Sequence, residues 1–232
     1  MNRVNYQREL DKILKTLGDS QSRPKLLLHS CCAPCSSYCL VYLREYFDIT
    51  CYFYNPNISD VTEYFKRLAE LERLANILNC EMENNGPAVP LGNDFPLLLK
   101  AGGKVFPAPT GPSGNIKNSE VEDIPAPTDP CENGTIRVLD GGFDSASFFS
   151  AVKGMENIPE GGRRCEECFS LRLSKAANAA KLGDFDYFTS TLTISPLKDE
   201  QAINRIGMKI GEDMGVKWLP SDFRKREAIR SQ

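Results

Sequence analysis

The chain has 232 residues, 41% of them hydrophobic and 25% charged, with a formal net charge of −3; this suits one globular core carrying an insertion and argues against broad nonspecific nucleic-acid binding. Its apolar runs fall far short of a membrane span, and Met1-Asn2-Arg3-Val4-Asn5 leads into a charged helix with no apolar signal core, so the expected location is cytoplasmic, away from membranes. Nine cysteines, an odd number in a reducing compartment, read as thiols and not as a disulfide framework.

Leu10, Ile13, Leu14 and Leu17 recur at helical spacing until Gly18, predicting an N-terminal amphipathic helix. Residues 25–30, with Leu26, Leu27 and Leu28, read as a buried parallel strand. A helix over 36–47 and a strand over 49–54 complete a βαβ unit that Asn55-Pro56-Asn57 ends. From Asp60, with Glu63 as capping partner, Val61, Tyr64, Phe65, Leu68, Leu71, Ala75 and Leu78 mark a long amphipathic helix.

Periodicity then collapses: nine of the fifteen prolines and seven glycines fall within 81–134, predicting a mostly irregular Pro/Gly-rich insertion at about 81–135. Its apolar patch at 95–99 is expected to dock on the body, and Cys131 to be an incidental thiol. Regular structure is expected again near Ile136, with a helix over 145–153 and a turn at Pro159-Glu160-Gly161-Gly162. A helix over 168–182, a strand over 187–193, a helix over 198–214 and a strand over 216–219 follow. Such alternation predicts a single α/β domain over 1–232, a doubly wound parallel sheet with ligands at the carboxyl ends of its strands.

Cys31-Cys32-Ala33-Pro34-Cys35 and Cys165-Glu166-Glu167-Cys168 each follow a loop and open a helical stretch, so one fold can bring four or five thiolates to one point. Cys32, Cys35 and Cys39 share a helical face, and a helix N-terminus favours thiolates. Such donors suit an iron–sulfur cluster, or zinc as a structural ion. Cys51 and Cys80, and Cys39 one turn deeper, read as buried small hydrophobes. His29, the one histidine, either reaches cofactor or substrate or is a satisfied core residue. Asn55 and Asn57 end the second strand where pocket walls form, although turns use them equally. The hydroxyl-rich run from Thr189 through Thr191 to Ser195 offers polar substrate contacts, although threonine is also normal in strands.

Asp140-Gly141-Gly142-Phe143-Asp144-Ser145 looks like the pyrophosphate loop of ATP-pyrophosphatase-type enzymes, among them iron–sulfur tRNA thiolases. It lies late in the chain and begins with a carboxylate that repels phosphate, which favours a turn and helix cap.

His29-Ser30-Cys31-Cys32-Ala33-Pro34-Cys35, Tyr54-Asn55-Pro56-Asn57-Ile58, Ala151-Val152-Lys153-Gly154, Arg164-Cys165-Glu166-Glu167-Cys168-Phe169-Ser170-Leu171-Arg172-Leu173 and the 189–196 run resemble, in order, the cobalamin-independent epoxyqueuosine reductase family. The resemblance implies reduction of epoxyqueuosine at the tRNA wobble position to queuosine, on a phosphate-loop, HUP-like Rossmannoid core that does not use ATP. It implies a 4Fe-4S cluster on Cys31, Cys32, Cys165 and Cys168, with Cys35 a candidate ligand for an additional iron. His29, Asn55, Asn57, Thr191 and Ser195 become candidate substrate contacts. The insertion and the lack of the family's Cys-Gly-Cys element near the C-terminus are departures from the family pattern, and they put a ligand or lid in question.

Removing an epoxide oxygen as water takes two electrons, two protons and an electrophile, which a cluster iron can supply. No flavin or nicotinamide fingerprint is present, so a low-potential donor such as ferredoxin or flavodoxin is expected. Arg163, Arg164, Arg172 and the basic residues of 224–226 are candidates to steer the phosphates of the anticodon stem-loop, or are simply solvated charges. Two rival readings remain at this stage, an ATP-dependent tRNA thiolase-like enzyme and a zinc-stabilised binding module.

Overall fold

A computed structural model describes residues 3–19, 23–83 and 135–224. The patch at 95–99 and Cys131 lie outside the described residues.

Five parallel strands form the sheet: β1 (Lys25–His29), β2 (Asp48–Phe53), β3 (Arg137–Asp140), β4 (Tyr187–Ser190) and β5 (Lys217–Trp218), in the order β3-β2-β1-β4-β5. The order reverses at β1, so the connections leaving β1 and β4 part company and open a crevice at their carboxyl ends. β1 alternates its side chains between two cores. Leu26 and Leu28 face one, which receives α1 (Tyr6–Gly18), α2 (Ala33–Leu43) and α3 (Val61–Glu83), while Leu27 faces the other, with α5 (Arg163–Leu182) and α6 (Glu200–Met214). A short helix, α4 (Ser145–Ala151), follows β3. Burial on both faces explains why β1 reads as a continuous apolar run.

Local chemistry sets the helix starts. Asn5 accepts the Arg8 N–H at α1, Asp60 accepts those of Thr62 and Glu63 at α3, and Asp199 those of Gln201 and Ala202 at α6. Glu63 pairs with Arg67, one turn on, so the expected reciprocal cap gives way to an ion pair. Ala176, Ala177 and Ala180 let α5 lie close against the sheet.

Several elements differ from expectation. β3 begins where regular structure was expected to resume, near Ile136, but is a strand not among the expected elements, and it pairs with β2. α2 begins at Ala33, because Pro34 suits a first turn, and stops at Leu43. α5 starts at Arg163 and not at residue 168. β4 stops at Ser190, whose hydroxyl captures the Leu192 N–H and turns Thr191–Ile194 into a 3₁₀ turn.

The two ends of the described body are clasped by Glu200, which pairs with Arg3 at 2.5 Å and with Arg224 at 2.5 Å. Burial alone raises the Glu200 pKa, and the bonds from Arg3, Gln201 and Arg224 outweigh it, holding the carboxyl at about 2. A depressed carboxyl stabilises the fold above its unfolded value and loses that contribution as pH falls through the folded one. Chemical denaturation should therefore show wild-type stability falling between about pH 4.5 and 2. Glu200→Gln is less stable at neutral pH and loses less across that window; an unchanged acid slope contradicts the clasp.

Candidate metal centre

β1 ends at His29, Cys31 lies in the loop, and Cys32 is the N-cap of α2 with extended backbone and no side-chain capping bond. Its sulfur is therefore not spent on the helix. The sulfurs of Cys31, Cys32 and Cys35 lie within 4.8 Å of one another, with Cys31 and Cys32 3.8 Å apart, and none of the three is in a disulfide. Hydrogen bonds from Cys32 and Cys35 hold the Cys31 thiol well below the ordinary thiol range, helped by the Arg172 charge and the Thr191 hydroxyl and opposed by burial. Cys32 and Cys35 are pushed up in turn, chiefly by bonding to Cys31. Three free cysteine sulfurs this close are a donor set in which a thiophilic cation can replace protons, and the residues fit such a metal.

Behind the sulfurs lies a closed polar ring. The Cys31 N–H donates to Thr191 Oγ1 at 3.2 Å, and the same hydroxyl lies 3.4 Å from Cys31 Sγ. His29 Nδ1 meets Ser190 Oγ at 2.8 Å and Nε2 meets the Tyr54 carbonyl at 3.0 Å. The shorter of the two Nε2 contacts favours Nε2–H donating to Tyr54 and the Ser190 hydroxyl donating to Nδ1. Burial first, and Arg172 second, lower the His29 pKa to about 3, so the ring is neutral. Arg172 Nε approaches His29 Nε2 at 3.4 Å, its Nη2 bonds Asn55 Oδ1, and Asn55 Nδ2 donates to the Ser30 carbonyl at 3.0 Å.

Cys165 and Cys168 occupy the first two turns of α5 and are half-buried. Gly161, with φ of +85°, makes the left-handed turn before the helix, and its N–H donates to Cys165 Sγ at 3.3 Å. Cys31 and Cys165 both border the second core. Cys165, Cys168 and Arg172 share one face of α5, with Cys168 one turn, about 6 Å, from the arginine that reaches His29. Neither Cys165 nor Cys168 joins the three-sulfur group within 4.8 Å.

The expected substrate contacts divide. Asn57 is exposed and Ser195 half-buried, both on turns past strand ends, whereas His29, Asn55 and Thr191 are buried with their polar atoms engaged. These three brace the loop from behind and do not face solvent. Cys39, one turn beyond Cys35 in α2, is buried in the first core as expected, its thiol on the Cys35 carbonyl at 3.4 Å. Cys51 is buried as expected, and Cys80, expected buried, is exposed. Among the basic residues offered for phosphates, Arg172 is buried, Arg224 is held by Glu200 and Asp222, Lys225 and Arg226 lie outside the described residues, and Arg163, paired with Glu167, and Arg164 lie near the cysteine pair. Burial of Arg172 was signalled in the sequence by its place in the apolar stripe of Phe169, Leu173 and Ala176.

The 140–145 loop follows β3 at the sheet edge. Asp140 accepts the Gly142 N–H and the Tyr64 hydroxyl, and Asp144 caps α4 through the Ser147 N–H. These backbone donors serve the loop's own carboxylates, which makes it a turn and cap and no phosphate cradle.

A family model described as "Epoxyqueuosine reductase QueH" matches residues 26–88 and 122–232. The chain is 34% identical to the epoxyqueuosine reductase QueH of Staphylococcus epidermidis, over 97% of the chain and 74% of the relative. It is 32% identical to that of Streptococcus pyogenes, over 98% and 70%. With that of Thermotoga maritima it shares 27% identity, over 88% and 78%.

Proposed function

The chain belongs to the epoxyqueuosine reductase QueH family, and from that premise we propose that it reduces epoxyqueuosine in tRNA to queuosine at an iron–sulfur centre on the β1 rim. The observation that carries the reading is the group of three sulfurs within 4.8 Å at the carboxyl end of β1. The protein is an oxidoreductase: an epoxide, two electrons and two protons become an alkene and water. Cys31, Cys32, Cys165 and Cys168 are the ligands in this reading, and Cys35 is the candidate for an additional iron beside them. A four-iron, four-sulfur cluster bound there supplies single electrons at low potential and an electrophilic iron for the departing oxygen.

The chain's own residues set the stage. The Thr191 hydroxyl fixes the Cys31 loop through backbone and sulfur at once. Pro34 suits the first turn of α2, and the Cys32 N-cap leaves its sulfur free of capping. The Gly161 N–H donates to the Cys165 sulfur, and hydrogen bonds to sulfur tune clusters. Exposed Arg163 and half-buried Arg164 are suited to the phosphates of an anticodon stem-loop, with Asn57 and Ser195 left as substrate contacts. Electrons come in this reading from an external low-potential protein, ferredoxin or flavodoxin. No helix among the described residues is long and apolar enough to cross a membrane.

The test is incubation of anaerobically purified protein with epoxyqueuosine-containing tRNA and dithionite, without ATP. Queuosine is the expected product, with iron and sulfide in the protein. Zinc without iron, or turnover only with ATP, rejects the reading.

A further inference from the structure

Arg172 is a charge without an evident partner. The residue is 3% exposed, in the middle of α5, and no carboxylate among the described residues pairs with it. The groups it touches, Asn55 and His29, carry no negative charge: one is an amide, and the other is an imidazole with both nitrogens bonded inside the ring of polar groups. An isolated buried guanidinium is costly unless an opposite charge stands near, and replacing it by a neutral side chain relieves that cost. The anionic chemistry in reach is sulfur. His29 precedes Cys31 by two residues, Cys168 lies one turn before Arg172 on the same face, and Cys165 lies one turn further.

We propose that Arg172 is the fixed countercharge of the thiolate centre, a positioning residue that raises the reduction potential of the iron–sulfur group those cysteines hold. The inference rests on the iron–sulfur reading above and adds to it a residue that touches neither metal nor substrate. Four thiolates and their inorganic core carry net negative charge, and each electron taken up makes it more negative in a medium of low dielectric constant. A guanidinium that cannot lose its proton favours the reduced form at every working pH. Asn55 Oδ1 accepts from Nη2 and the His29 ring packs beside Nε, in a buried setting that keeps the charge from swinging out to solvent.

The experiment is an anaerobic redox titration, followed by electron paramagnetic resonance, of reconstituted wild type, Arg172→Gln, Arg172→Lys and Asn55→Asp. Arg172→Gln should move the midpoint in the negative direction by at least a tenfold change in the reduction equilibrium, about 59 mV for one electron. Arg172→Lys, which keeps the charge, should stay close to wild type. Asn55→Asp, which sets a carboxylate against the guanidinium, should shift in the same direction as Arg172→Gln. Thermal denaturation of the same samples separates a clamp from a countercharge, because a purely structural arginine lowers stability and leaves the midpoint unmoved. Should Arg172→Gln fail to fold or take up cluster, a negative shift in Asn55→Asp with an unshifted Arg172→Lys supports the proposal. An unshifted midpoint in Asn55→Asp or in loaded Arg172→Gln overturns it and leaves the reductase reading intact. A wild type that holds no iron–sulfur group overturns both.

Discussion

Cys165→Ala protein, purified without oxygen, is expected to be colourless and inactive while keeping its fold. The residue is half-buried at the start of a twenty-residue helix, and among the described residues its sulfur receives one weak bond, that of Gly161. Removing it subtracts little from packing. As a ligand its weight is large: outer-shell partners already cost roughly 10–100-fold when removed, so loss of a thiolate should lower iron content and turnover beyond that range. Cys51→Ala is the matched control. Burial pushes the Cys51 thiol up to about 12, so it stays protonated inside the first core. That variant should keep its colour and turnover and lose about 1 kcal/mol of stability. Iron and sulfide analysis beside the tRNA assay decides the matter, and a brown, active Cys165→Ala protein removes Cys165 from the ligand set.

Asn204→Ala should be among the most destabilising single changes in the molecule. The buried amide donates to the carbonyls of Glu200 and Ser221 at 2.8 and 2.9 Å. It also accepts from Trp218 Nε1 and the Ser221 N–H, both at 3.0 Å. Truncation strands the indole N–H and both backbone groups of Ser221 away from water, each at about 1–3 kcal/mol. Allowing for relaxation, the loss should be about 4 kcal/mol, or roughly 8–16 °C in Tm for a domain of this size. The effect extends to the site, because the Ser221 hydroxyl bonds Thr193 at 2.9 Å within the 3₁₀ turn that carries Thr191. Circular dichroism melting is the measurement, and a fall under about 2 °C refutes the accounting.

Much of this architecture was legible because burial and periodicity agree. Leu26 to Leu28 announce a strand covered on both faces, and Asp60 marks a helix start by composition alone. The three-sulfur group was foreseeable from a strand end followed by a proline-bearing first turn. β3 was missed because its four residues emerge from a proline-rich stretch without alternation, and pairing with β2 is a long-range gain that local propensity does not encode. The 3₁₀ turn was missed because threonine-rich chain reads as strand, whereas one hydroxyl, that of Ser190, diverts the backbone. Arg172 was read by its charge and not by its position, although Phe169 and Leu173 beside it already pointed inward.

The bond between Cys31 and Thr191 spans 160 positions of the chain. During synthesis β1 and α2 leave the ribosome long before the segment that seats behind them, so the early cysteines emerge without their backing. Contacts of such sequence separation form late, once the entropy of closing the intervening chain has been overcome. A metal held as proposed would thus be seated fully only after the Thr191 segment has emerged, and a cation captured earlier by the nascent cysteines alone would be held without the hydroxyl that orients them.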